Sequence, residues 1–443
     1  MIYLVLIASV AGVELFVLRR LRFGWLIVAL VLAGLLVDVS YLAYTPITAR
    51  NYDGPTHVFY IEYLIEHWRL PPFDILCTTC GHPPLYYALA ALWSKIVLSG
   101  GWMPRDLGLQ WLSLLLSSGF VVFALLLLRS FVARPATLRL AAALVVFWPS
   151  GILNSVRVHN DALASVLGLV AMYFIAQWDR QDRQRDFYCA LGACALALLT
   201  KATGYAMAAT LLVVVALRLR STHLGRQSIR QAAVAVLVLL GAALLPSALR
   251  GPGPPRTLCQ RVLGGACFVP QGAFVTNQPI NYLYFGLPGF LRDASSTSYP
   301  REQDYFWNGL AKSSLFGVLP LGKDFQGARH HCLGAILGVL LLAMVLVCIA
   351  ALPFVRRESW RAYRAVVIAS ASMLVLLAAF RMVLPTPFHE DFRHIFPVLV
   401  PFCLVYGKSV ERIGDRSAWA YRAGIGLGLL MVASSVAFFV RIP

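Results

Sequence analysis

Acidic residues are scarce in this chain: 20 Asp and Glu stand against 38 Lys and Arg, and charges of both signs make up only 13% of its 443 residues. With 59% hydrophobic residues and a mean hydropathy of +0.72, there is too little polar surface to cover a soluble globule. Also missing are a P-loop and a dinucleotide-binding glycine signature, so neither ATP use nor nucleotide-linked donors find support. The short alternating segments of a β-barrel are absent too. No small-residue cleavage site follows residues 2–18, and the basic residues come after that apolar run instead of before it. It reads as an uncleaved first helix with its N-terminus outside, not a signal peptide. No internal repeat and no appended soluble domain are visible.

What remains is a series of apolar runs, which implies an all-α polytopic membrane protein, a single transmembrane domain over 1–443. About twelve spans are expected, at 2–18, 23–44, 109–128, 138–153, 161–178, 186–199, 204–219, 231–247, 332–355, 363–384, 393–407 and 418–440. The net charge of +18 suggests nucleic acid at first sight, but its distribution excludes that partner. Arginines cluster at Arg19–Arg22, Arg129–Arg139, Arg180–Arg185, Arg218–Arg230, Arg356–Arg364 and Lys408–Arg422, in every second connection. Such a pattern orients the chain, with these connections in the cytoplasm and near anionic headgroups.

Two long external segments follow from this topology, 45–108 and 248–331, and function is expected on that outer face. In the first, residues 55–69 read as an amphipathic surface helix: Pro55 suits its first turn and Pro71-Pro72 ends it. Residues 84–98 read as a second surface or re-entrant helix. The second segment opens with the non-helical Arg250-Gly-Pro-Gly-Pro-Pro255 and is rich in aromatics, including Phe306-Trp307 and Phe316. It suits either a lid over a lipid-linked substrate or a belt resting on headgroups. Of the nine cysteines, Cys77, Cys80, Cys259 and Cys267 fall in these segments. They fit one or two disulfides in an oxidising compartment, with pairing open; Cys77, Cys80 and His82 are alternatively weak candidates for zinc.

Ionisable residues gather where outer helix ends converge: Asp53, His57 and His82, then Arg157, His159 and Asp161, then Lys201, and finally Arg381, His389, Glu390, Asp391, Arg393 and His394. At helix ends such groups either snorkel to headgroup phosphates or act. Asp53 stands before a helix-starting proline, where a carboxylate commonly caps free backbone N–H groups. The alternative is a base at the membrane surface.

Taken in order, these residues resemble the GT-C superfamily of membrane glycosyltransferases, in particular the protein mannosyltransferase and aminoarabinose transferase branches. The likeness rests on Tyr52-Asp53-Gly-Pro-Thr-His57, His82-Pro-Pro-Leu-Tyr-Tyr87, Asn160-Asp161 opening a span, Lys201 between two spans, Phe306-Trp307 to Phe316-Gly317, and Arg393-His-Ile-Phe-Pro397. It covers about residues 23–407. The chain departs from the common pattern by an extra N-terminal span and by Gly54, where many relatives have Glu, which weakens a metal held by adjacent acids. The resemblance implies transfer of a hexosyl or pentosyl group from a polyprenyl-phosphate-linked sugar to an acceptor (protein, lipid or glycan), with Asp53 as base. Lys201 and Arg393 are expected to hold the donor phosphate. Arg157, Asp161, His57, His82 and Tyr86 complete the substrate-binding set, and a divalent metal is left open. The setting implied is the outer face of a bacterial inner membrane. Competing readings are a secondary transporter or lipid flippase, which usually carries midplane charges on repeated halves, and a lipid-linked oligosaccharide polymerase or ligase.

Overall fold

The computed structural model describes residues 2–47, 53–72, 77, 79–101, 103–221, 226–250, 275, 277–292, 305–317, 325, 327–354 and 357–440. The regular elements among them are helices: α1 (Ile2–Arg20), α2 (Trp25–Tyr44), α3 (Gly54–His67), α4 (Leu85–Val97), α5 (Arg105–Phe131), α6 (Pro135–Val146), α7 (Pro149–Ser155), α8 (Asp161–Gln181), α9 (Gln184–Leu198), α10 (Gly204–Ser221) and α11 (Arg226–Arg250). There follow α12 (Ile280–Leu283), α13 (Leu287–Arg292), α14 (Phe306–Phe316), α15 (Ala328–Ala351), α16 (Arg357–Val383), α17 (Leu399–Gly414) and α18 (Ala418–Phe439).

The chain is thus an all-α, multi-pass membrane protein. Among the described residues, seven helices are long and apolar enough to cross a bilayer, or eight if the bent pair α6–α7 counts as one span. The twelve expected segments are all helical, but α9 and α17 have 15 and 16 residues, short of the roughly 20 that a hydrocarbon core requires. The expected span 393–407 is not one continuous helix. Residues Phe392–Val398 form a 3-10 helix with a break at Ile395, and the α-helix begins only at Leu399. Pro397 supplies no N–H, and the Asp391 carboxylate caps the Arg393 amide at 3.1 Å, so the chain turns before it enters α17.

A second interruption follows from Pro149. The residue before a proline disfavours the α conformation, so α6 stops at Val146 and α7 restarts at Pro149, bent by 50°. The Trp148 indole N–H donates to the Ser314 carbonyl at 2.6 Å, which fixes this bend against α14. The bent end of α7 leads into residues 156–160 and then into α8, which packs between α5 and α9. On the same side α3 and α4 pack together around Tyr60, Ile61, Tyr86, Tyr87 and Ala90, a small apolar cluster separate from the main core.

Candidate active site

Asp53 occupies the position before α3, yet its side chain makes no capping hydrogen bond. The amides of Thr56 and His57 bond to the Asp53 carbonyl instead. One turn along, His57 brings Nε2 to 3.4 Å from Asp53 Oδ2. The other ring nitrogen of His57, Nδ1, lies 2.9 Å from the Tyr87 hydroxyl. The ring thus places one nitrogen against the carboxylate and the other against the Tyr87 hydroxyl. His57 is buried at 1% exposure while the Asp53 side chain keeps 26%, with its Oδ1 buried and without a hydrogen-bond partner among the described residues. Burial pushes the Asp53 carboxyl up, but His57, Arg393 and Arg157 outweigh it and hold the pKa well below the ordinary carboxylate range.

His82 stacks on His57 with ring centroids 6.4 Å apart. Burial, with Lys201 and His57 nearby, lowers its pKa to about 3, so this imidazole is neutral. Tyr86, expected in the substrate-binding set, is instead enclosed in the α3–α4 cluster, edge-on to Tyr87. The neighbouring Tyr87 is the tyrosine that reaches His57, a contact between residues 30 apart in sequence that no local pattern reveals.

The second half of the site is a buried charge cluster. Lys201 Nζ donates to Asp161 Oδ1 and lies 3.1 Å from His394 Nδ1. His394 Nδ1 is 3.5 Å from the same Asp161 oxygen. Arg393 Nε is 3.1 Å from Asp391 Oδ2 and 3.9 Å from Asp161 Oδ2, while its Nη1 has no hydrogen-bond partner among the described residues. The residues expected from the sequence at 53, 57, 82, 157, 161, 201 and 393 are therefore brought together from five connections of the chain.

Local sequence explains how each arrives. Lys201 sits on a turn so tight that a Cβ on Gly204 would stand 2.5 Å from the Ala197 carbonyl carbon, so only glycine closes α9 onto α10 there. Arg393 rides on a segment held from two sides. Glu390 pairs with Arg381 at 3.0 Å, both side chains 1% exposed, and it packs directly against Gly309 of α14 where a side chain would collide. Ser313 donates to the Glu390 carbonyl at 3.3 Å and accepts from the Phe392 amide at 2.9 Å. The aromatic segment 306–316 is thus a docked helix that positions the 390–394 loop.

Cys77 and Cys80 form a disulfide, their Cα atoms 5.3 Å apart. The bond takes both sulfurs away from a metal, and the zinc reading with His82 is not realised. Cys259 and Cys267 lie outside the described residues. Beside the disulfide the Arg250 guanidinium donates to the carbonyls of Cys80 (2.9 Å), Gly81 (3.2 Å) and His82 and to the Tyr60 hydroxyl (3.1 Å), a clamp unforeseen in the sequence. Among the described residues, no three His, Cys, Asp or Glu side chains are arranged to hold a metal ion.

The architecture defines a class first: an all-helical membrane fold with its charged cluster gathered from the connections between helices. Neither a protein-family model nor a curated protein matches the sequence. Among solved structures, the chain is similar to the oligosaccharyltransferase AglB from Archaeoglobus fulgidus in complex with an inhibitory peptide and a dolichol-phosphate, at TM-score 0.50 and 10% identity over 95% of this chain. It is likewise similar to the Archaeoglobus fulgidus oligosaccharyltransferase tethered with an acceptor peptide, at TM-score 0.50 and 12% identity over 94% of this chain. Against ArnT from Cupriavidus metallidurans bound to undecaprenyl phosphate the TM-score is 0.42 and the identity 16%, over 93% of this chain and 78% of that one. The chain spans 56% and 55% of the two oligosaccharyltransferase chains, a little over half their length. At these identities the likeness is one of fold alone.

Proposed function

We propose that the protein is an inverting glycosyltransferase that moves a hexosyl or pentosyl group from a polyprenyl-phosphate donor to a protein, lipid or glycan acceptor. Its setting in this reading is a bacterial inner membrane, with the site on the outer, periplasmic face. The observation that carries it is the Asp53 carboxylate: freed from capping its own helix, held ionised, partly exposed, and within the field of Arg393 and Arg157.

A polyprenyl phosphate leaves without prior protonation, so one base and a cationic phosphate site suffice. The acceptor hydroxyl or amide attacks the anomeric carbon opposite the phosphate while its proton passes to Asp53. The C1–O bond breaks, and its electron pair leaves on the phosphate, whose charge Arg393 and Lys201 stabilise. Arg393 offers a free Nη1 donor for bidentate contact; Lys201 contributes a point charge. In this state Asp161 and Asp391 match those cations, so an incoming phosphate competes with two carboxylates. His57, steadied by Tyr87, orients the base.

The test compares radiolabelled polyprenyl-phosphate-linked and nucleotide-linked sugars with purified protein in lipid nanodiscs, using membrane extract as acceptor. Transfer from the lipid donor alone is expected, and Asp53→Asn should lower it by about 10²–10⁴-fold, the usual worth of a general base, with an unchanged melting midpoint. Full activity in that variant would remove Asp53 from the role. No transfer from either donor, together with flux of a lipid or solute across the membrane, would make the protein a transporter.

A further inference from the structure

The Cys77–Cys80 disulfide stands beside the Asp53–His57 pair, and the transfer chemistry makes no use of it. A cross-link restrains the unfolded chain more, the longer the loop it closes. Here the separation is three residues, so the bond adds little to the stability of the fold. Its two ends are unequal. Cys80 is buried at 2% exposure and its carbonyl accepts from the Arg250 guanidinium at 2.9 Å, whereas Cys77 is half-buried. We propose that this bond is a thiol-exchange site, attacked at Cys77 by a dithiol reductant, and that its opening displaces the turn carrying Asp53 and His57. The exchange stands apart from the transferase reading; only its effect on transfer rests on that reading.

A thiolate of the reductant bonds to Cys77 Sγ, the Sγ–Sγ bond breaks, and its electron pair leaves on Cys80, which takes a proton. The reductant's second thiolate then attacks its own sulfur in the mixed disulfide and expels Cys77, which is protonated in turn. The dithiol ends as a disulfide, and the protein has gained two electrons and two protons. Arg250 favours this order of events. A thiolate that forms beside a cation leaves more readily, and the guanidinium is hydrogen-bonded to the backbone of Cys80. The reduced Cys77 also meets acceptors already in place. Its Sγ lies 3.5 Å from Thr79 Oγ1 and 3.9 Å from the Thr56 carbonyl oxygen. A thiol donates to such oxygens, where a disulfide sulfur has no hydrogen to give.

Opening the bond moves atoms close to the base. Bonded sulfurs stand about 2 Å apart and non-bonded heavy atoms about 3.5–4.0 Å, so the two residues must separate. Arg250 holds the Cys80 side, through the carbonyls of Cys80, Gly81 and His82 and the Tyr60 hydroxyl. The displacement therefore falls on Cys77, whose sulfur faces Thr56. Thr56 belongs to the first turn of α3. Its amide and hydroxyl both donate to the Asp53 carbonyl, at 3.1 and 2.8 Å, and its neighbour His57 faces the Asp53 carboxylate. The same clamp retains the 80–82 segment while the bond is open, which makes the change reversible.

The experiment treats the full wild-type protein in lipid nanodiscs with glutathione or with dithiothreitol, alkylates the freed thiols and maps every cysteine by mass spectrometry. Glutathione is expected as a mixed disulfide on Cys77, and dithiothreitol should open the bond while the protein stays folded. Hydrogen exchange should then quicken at the amides of Thr56 and His57 and stay as it was in α5 and α8. Transfer should fall by about 10–10²-fold, the cost of a misplacement near 1 Å, and return on reoxidation. A bond that opens only once the protein has unfolded overturns the proposal, as does glutathione on Cys80 in preference to Cys77. Exchange that quickens throughout the chain also overturns it, because the bond is then a staple of the whole fold. Equal transfer in both redox states, or unchanged exchange at Thr56 and His57, overturns the coupling to the base. Exchange at Cys77 with a quickened turn, but no transfer in either state, upholds this site and removes the transferase reading.

Discussion

Removing Arg381 while keeping Glu390 probes what holds the site's 390–394 loop in place. The two side chains are each 1% exposed and 3.0 Å apart. At that separation the charges attract by roughly 5 kcal/mol at an effective dielectric near 20, and extracting both from water costs several kcal/mol per ion, so the intact pair is close to neutral in net stability. Breaking it is another matter, because the surviving charge stays buried. Arg381→Met should therefore destabilise by about 3–5 kcal/mol, and Glu390→Gln by a similar amount. The double variant should recover most of the loss. Glu390 also presses on Gly309 and its carbonyl accepts from Ser313, so the single variants should weaken donor binding together with stability, through displacement of Arg393. The unfolding midpoint in detergent, followed by intrinsic fluorescence, reads the first effect, and lipid-phosphate binding reads the second. If the double variant is as unstable as Arg381→Met, the coupling is absent and the loop is held by something else.

Four further outcomes are expected. Asp53 keeps its charge down to unusually low pH, because His57, Arg393 and Arg157 overcome the effect of burial; transfer should thus hold through the ordinary carboxylate range and fall only at lower pH. Substituting His57→Gln removes one of those influences, so the acid limb of kcat/KM should move to higher pH, and an unmoved limb would detach His57 from the base. Tyr87→Phe leaves the stacking against Tyr60 (3.8 Å between centroids) and deletes only the hydroxyl, so kcat should fall by about tenfold with little change in KM; equal activity would make that hydrogen bond incidental. Gly204→Ala drives a methyl into the backbone of Ala197 and Leu198, which should cost about 1–3 kcal/mol and weaken phosphate binding by shifting Lys201; circular dichroism melts and lipid binding check both.

Much of the architecture is legible because lipid imposes a single rule on helices: long continuous apolar runs with basic residues at alternate connections. Where the reading went astray, prolines and short polar groups had rearranged the backbone, as at Pro149, where the helix bends, and at Asp391 and Pro397, where the chain turns before α17. Asp53 is ambiguous in sequence for a physical reason: cap and base require the same residue before the same proline, and only the position of His57 separates them. The Cys77–Cys80 spacing is equally two-sided, since zinc ligation and a disulfide both suit it. Tyr87 and Arg250 could not be singled out at all. Their partners depend on how α3 lies on α4 and on where α11 ends, which are tertiary facts.

The Arg250 clamp has a consequence for the order in which the site comes into being. The loop it grips, with the disulfide and His82, is synthesised well before α11, and its carbonyls wait for a guanidinium that arrives only after the intervening helices have been made. Arg393, whose charge acts on Asp53, is made later still. A chain stalled between those points carries Asp53 and Asp161 without one of their cations and the disulfide loop without its clasp. Such partial chains resemble an unfinished lock, open to reduction and proteolysis until α11 and the 390–394 loop dock.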